Sequence, residues 1–393
     1  MADSKKTKLF TSDMPGAPVL SGTAGSLIAV LDAVLVNGFG LVSVTGLTVT
    51  GGIATATVSA GHSLQVDSVG LIAGAAPAGL NGEKRVLSIA GNSFTFDATG
   101  IADQTATGTI TAKVAPAGWT KAFSGTNRAA YKITSPEGTG FYLRVDDTGT
   151  ATARVRGYET MSDVNTGTGP FPTTADFADS GLWWSKSNAA SAAARPWRIA
   201  ADDQGFYYFP RQYDTYYEHQ GNYFGGILSL KSNDPYACVL RGNTSDRSTA
   251  LGGSFGDDLV WADSSRAFGG LYIARAANTL GGAVNIYSAP VIDTTLSVNH
   301  VVGAVGFAYP APVDNGLMLT PVVLHNTQGF RGYLPGIRYS PQVVNAAFNS
   351  GDVVAGSGDM VGKKVTAVRM GDRISSPSLC GMVFIDHTSD WRV

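Results

Sequence analysis

The sequence predicts a mainly β protein: a β-sandwich or barrel-like main domain, one short N-terminal helix and an inserted small all-β module. Three observations carry this. Short runs rich in Val, Thr and aromatic residues recur along most of the chain, divided by Gly, Asn-Gly and Asp-Gly turn signals. Residues 27–35 hold the clearest helical apolar period, and few windows after residue 40 favour helix. Residues 41–118 have a texture of their own, with one His, no Cys and many small residues.

Residues 1–20 read as an extended arm, because Pro15 and Pro18 block a helix. Next, Leu27, Ile28, Leu31, Val34 and Leu35 repeat at the spacing of one apolar helix face. Thr23 or Ser26 is the expected cap at its start, and Asn37-Gly38 suits its end. A helix this short needs a partner to cover its stripe.

The module opens with a hairpin signal. Residues 44–50 and 53–58 flank Gly51-Gly52, and two glycines permit the positive φ angles of a tight primed turn. Further strands are expected at 68–72, 84–89, 93–96 and 108–114. The module's ends, near Gly40 and Gly118, are expected to lie close together. That pairs 21–40 with 119–393 as one discontinuous main domain around the insertion at 41–118. With so few reactive groups, the module reads as a spacer or contact surface.

Beyond Trp119 the strand signals fall at 130–133, 141–145 and 152–158, with a turn at Asp146-Asp147-Thr148-Gly149. Residues 163–174 read as a loop and 189–194 as one helical turn. A second hairpin spans 197–201 and 206–211. Strands follow at 225–230, 237–240, 270–275, 283–287, 317–324, 364–369 and 382–386. No fixed repeat period emerges.

Composition narrows the function classes. Charged residues make up 15% of the 393 residues, against roughly 25% in ordinary soluble domains. Such a chain covers its surface with small polar groups or buries that surface against partners. The net charge of −2 gives no general reason to bind nucleic acid, and no basic run exceeds Lys5-Lys6. The longest apolar stretch, 27–36, carries Asp32 and is too short to span a bilayer. Lys5, Lys6 and Lys8 precede Leu9-Phe10 and Pro15 without an apolar signal core, so the expectation is a chain made in the cytoplasm and not inserted in a membrane. Cys238 and Cys380 allow a disulfide without implying one.

The motifs with chemical potential mostly read as turns. Asp147-Thr148-Gly149 matches the aspartic-protease triplet, but the nearest second copy, Asp293-Thr294-Thr295, lacks the glycine. Residues 356–364 imitate a phosphate loop, yet Ser357 and Lys364 break the motif and a strand pattern follows. His62, His219, His300, His325 and His387 show no metal-ligand spacing. Asp214, Glu218 and His219 could at most hold a metal weakly. The pairs Asp146-Asp147, Asp202-Asp203 and Asp257-Asp258 are adjacent, so on a strand each pair points to opposite faces. No catalytic, cofactor or metal residue is assigned.

The aromatic cluster is the best candidate for recognition. Phe206-Tyr207-Tyr208-Phe209, Tyr213, Tyr216-Tyr217, Tyr223 and Phe224 follow closely on Trp183-Trp184 and Trp197. Most are expected in the core. Tyr213, Tyr216 and Tyr217, with Trp183 and Trp184, form the expected interaction surface, since Tyr and Trp are common anchors of interfaces.

A resemblance joins these pieces. Met14 to Pro18, Ser21 to Leu27, Leu31-Asp32-Ala33 and Val36 to Gly40 resemble the opening of a group of phage particle proteins. Asn81 to Val86, Phe94-Thr95-Phe96 and Ala106 to Thr109 resemble a small β unit of phage tail and fibre proteins. Tyr142 to Asp147, Gly157 to Asp163, Arg331 to Gly336, Gly356 to Lys363, Phe384-Ile385-Asp386 and Trp391-Arg392 continue the likeness. The chain thus resembles a tailed-bacteriophage virion structural protein. The resemblance implies a particle component without placing it in the particle; the leading expectation is a non-enzymatic tail-tip or baseplate component that forms a symmetric homo-oligomer. Its expected partners are copies of itself and neighbouring virion proteins, with a host-surface glycan as a further partner. Capsid decoration or head–tail joining is one alternative, a glycan-binding host adhesin another, and a glycan hydrolase a third.

Overall fold

Antiparallel pairing organises the described residues, as the recurring Val, Thr and aromatic runs require. A computed structural model describes residues 5–178, 181–213, 219–246, 269–276, 278–291, 307–327, 329–344, 346–370 and 381–392. Within these, curled antiparallel sheets of 13, 7 and 8 strands surround one short helical segment.

The 8-stranded sheet is drawn entirely from residues 39–114. Its Gly46–Thr50 and Ile53–Thr57 strands meet at Gly51 and Gly52, whose φ angles of 58° and 79° supply the expected primed turn. Phe39 pairs with Val114, so the chain enters and leaves this sheet on adjacent strands. Leu47, Val49, Ala54, Ala56, Phe94 and Phe96 point inward, while Thr48 and Thr50 face outward, the period-two pattern of a half-buried sheet. These side chains join Leu27, Leu31 and Leu35 of the helix in one continuous core.

That helix runs Ser26–Leu31 and continues as a wider turn over Asp32–Asn37. Its apolar face is the expected one, with Leu27, Ile28, Leu31, Val34 and Leu35 buried. Neither Thr23 nor Ser26 caps its start. Gly25 takes that position, and the Ser26 hydroxyl instead donates to the Ser21 carbonyl at 2.8 Å.

The 13-stranded sheet lies at the centre. From one end its order runs Lys8–Thr11, Trp197–Ala201, Gly205–Pro210, Asn222–Gly226, Cys238–Asn243, Leu182–Ser185 and Thr152–Met161. Tyr142–Asp146, Arg128–Lys132 and Thr120–Gly125 complete the path. Gly205–Pro210 is buried along its whole length. Phe206 and Tyr208 pack into the core shared with the helix and the 39–114 sheet. Tyr207 and Phe209 pack on the other side against Leu324, Ile337, Val368 and Ile385 of the 7-stranded sheet. Four consecutive aromatic residues therefore mark a strand covered on both faces.

Three local expectations change. Within the arm, Lys8–Thr11 is the end strand of the central sheet, because Phe10 is drawn into the core beside Phe39, with ring centroids 6.4 Å apart. The 163–174 loop contains the strand Gly167–Phe171, anchored by buried Phe171 and paired with Thr152–Met161. Residues 189–194 form no helical turn; the Gly22 amide donates to the Ser191 carbonyl at 2.7 Å, and Leu20 bridges Arg195.

Candidate interaction surfaces

The Asp147-Thr148-Gly149 turn follows the strand Tyr142–Asp146, and the carboxylates of Asp146 and Asp147 diverge. Asp146 accepts hydrogen bonds from Arg128 at 2.9 Å, Arg144 at 3.1 Å and the Thr148 hydroxyl at 2.7 Å. Asp147 turns to the opposite side. Its Oδ2 accepts from the Leu27 and Ile28 amides at 2.8 and 3.1 Å, capping the helix that local residues leave uncapped. Its Oδ1 accepts from Lys186 Nζ, which also donates to the Thr23 and Gly149 carbonyls, both at 2.8 Å. Both side chains are 0% exposed. Desolvation raises the Asp147 pKa and lowers that of Lys186, with their mutual attraction opposing both shifts. The triplet is a helix-fastening device.

The other candidates also hold structure. Asp202 Oδ1 accepts from the Gln204 and Gly205 amides at 2.9 and 2.6 Å, closing the hairpin turn, and its Oδ2 accepts from Arg392 Nε at 2.9 Å. Around 356–364, Val353–Ala355 and Lys364–Met370 form an antiparallel hairpin where a phosphate loop would need a helix. His219 is buried, and desolvation, then Arg198 and Arg211, lower its pKa to about 3. Cys238 is buried, which pushes its thiol up to about 12. Among the described residues, no group of three or more His, Cys, Asp and Glu is placed to hold a metal ion. Asp214, Glu218, Asp257-Asp258, Asp293 and Cys380 lie outside the described residues.

The predicted aromatic surface divides. Tyr216 and Tyr217 lie outside the described residues, and Tyr213 is half-buried. Trp184 does not belong to a surface. It is 0% exposed, donates from its indole to the Arg241 carbonyl at 2.7 Å and packs on Phe206 and Tyr208. Alternation along Leu182–Ser185 sends Trp183 the other way. Trp183 is half-buried, with the Arg154 guanidinium 3.4 Å from its ring centroid and Phe177 at its edge. Its face is already occupied by a cation.

A different exposed apolar surface emerges on the 7-stranded sheet. Leu230, Val291 and Phe330 are 60%, 56% and 70% exposed and line one groove of about 540 Å³ with Val323, His325 and Tyr333. Pairing of Leu228 with Tyr333 brings the Leu230 turn alongside the hairpin bearing Phe330. Leu230 and Val291 lie just beyond strand ends and Phe330 near the start of Gly329–Tyr339, all remote in sequence, so no local pattern announces the groove. Tyr287–Pro290, immediately before Val291, is the end strand of this sheet among the described residues.

Among the described residues, no helix is long and apolar enough to cross a membrane. No protein-family model matches the chain, and no curated protein matches it.

Proposed function

We propose that this chain is a non-enzymatic structural subunit of a tailed-phage particle, placed at the tail tip or baseplate and working as a symmetric homo-oligomer. The observation that carries the reading is the exposed groove at Leu230, Val291 and Phe330, beside the end strand Tyr287–Pro290. Contiguous exposed apolar surface marks contact sites, and an end strand offers backbone groups to a neighbour. A second copy of the chain is the natural occupant, because low charge leaves little electrostatic repulsion between copies. The resemblance of the 14–40, 81–109 and C-terminal segments to phage particle proteins supplies the setting.

Light scattering on the purified full chain tests self-association. The wild type is expected to be oligomeric, and Phe330→Glu to shift it to the monomer with its thermal unfolding unchanged. A monomeric wild type at tens of micromolar, a concentration that populates most specific interfaces, would remove the homo-oligomer. Gold labelling of an epitope tag in 41–118, viewed on purified particles, tests the placement. Label at the distal tail supports the tail-tip reading; label over the head or portal vertex transfers the chain to decoration or joining.

A further inference from the structure

A second, polar cavity of about 280 Å³ opens beside the N-terminal strand, where the central sheet meets the 7-stranded one. Three arginines from separate segments line it. Arg198 lies on Trp197–Ala201, Arg211 follows Gly205–Pro210, and Arg369 lies on Lys364–Met370. Their sequence separation hides this convergence, which exists only once the two sheets pack.

Among the described residues, two carboxylates act on Arg198. Asp13 lies 3.8 Å from Arg198 but is 71% exposed, so solvent screens it. Asp352 also attracts Arg198 and meanwhile accepts from the Asn349 amide at 2.8 Å. Arg198 donates to the Ser350 carbonyl at 3.3 Å, and Arg369 to that of Phe348 at 2.9 Å. Arg211 differs. Its Nε is shut off from solvent without a hydrogen-bond partner, and no described residue bonds its guanidinium. His219, in the same wall, is buried and stays neutral beside Arg198 and Arg211, so it adds no charge.

An Nε buried without a partner carries the cost of a lost hydrogen bond, while the outer nitrogens of the half-buried Arg211 side chain are left open to a ligand. Its planar fork fits two oxygens of one oxyanion, which would meet that cost. We propose that this cavity binds an oxyanion group, carboxylate or phosphate, with Arg211 as the main donor and Arg198 and Arg369 beside it. Ser12 and Ser350, also in the lining, suit the polar body that carries the anion. A neutral ligand of equal size would leave the Arg211 charge unmatched.

Calorimetric titration of the full chain tests this, with inorganic phosphate, D-glucuronate and neutral D-glucose as probes. One-to-one saturable uptake of either anion, no uptake of glucose, and affinity at least about tenfold weaker in Arg211→Gln support the site. Uptake of phosphate alone identifies a phosphorylated ligand, and uptake of glucuronate alone a carboxylated one. No uptake of either anion, or equal uptake by wild type and Arg211→Gln, overturns it. If Arg211→Gln does not fold, Arg211→Lys keeps the charge and loses the fork. Weaker anion uptake by that variant supports the site, and unchanged uptake overturns it.

Discussion

Asp147 fastens Lys186 with one carboxylate oxygen and the start of the only described α-helix with the other. Removing either partner leaves a buried charge without its counter-charge. Lys186→Met is expected to destabilise the chain by about 3–5 kcal/mol, as for other broken buried pairs. Asp147→Asn combined with Lys186→Met should cost less than the two single changes added together, because the members are coupled. Urea unfolding of the four chains checks both statements, and additive costs would refute the coupling.

Acid should weaken the fold through His219. In the folded chain it resists protonation down to about pH 3, whereas the unfolded chain takes up that proton near the ordinary imidazole value of 6.5. Between these limits the unfolded state binds more protons, so stability falls as pH falls, by up to about 1.4 kcal/mol per pH unit. His387, also lowered by burial, acts in the same direction. Unfolding free energies measured from pH 7 to pH 4 should show a shallower slope in His219→Gln than in wild type.

The 39–114 sheet should not be removable without cost. Lys8 pairs with Glu83 at 2.9 Å, Lys364 with Asp67 at 2.8 Å, and Arg85 donates to the His387 carbonyl at 3.1 Å. Phe39 and the buried face of the sheet share a core with the helix. Excising 41–118 and joining the flanks through two glycines is expected to lower the melting temperature and expose apolar surface to a hydrophobic dye. An unchanged melting temperature would make the module an independent appendage.

Gly336 is a tight spot in the 7-stranded sheet. Its φ is +67°, and a Cβ placed there would lie 2.2 Å from the Trp391 indole nitrogen, which donates to the Asp386 carbonyl at 2.8 Å. Gly336→Ala should cost about 2–4 kcal/mol from overpacking and left-handed backbone together. Thermal unfolding reads this directly, and near-red-shifted Trp fluorescence would report the displaced ring.

Much of the β character was legible because side-chain alternation is a local property. The hairpin at Gly51-Gly52 and the strand Lys364–Met370 follow from turn residues and β-branched runs. The helix stripe was equally plain, but its cap was not. The Leu27 amide meets a carboxylate 120 positions away, and no window around residue 27 contains that partner. Trp183 and Trp184 show a second limit. A sequence tells that neighbours on a strand diverge, but not which face is covered, and here the covered face took Trp184. The Leu230–Phe330 groove and the three-arginine cavity are further cases, since each is assembled from segments remote in sequence.

The strand Gly205–Pro210 also has a mechanical consequence. Its aromatic side chains alternate between two cores while sharing one backbone. A load applied to the 7-stranded sheet therefore reaches the helix and the 39–114 sheet through Tyr207, the strand itself and Tyr208. The outer layers cannot slide past each other without shearing the central ladder of hydrogen bonds. Such a strand acts as a tie-bar between the two layers.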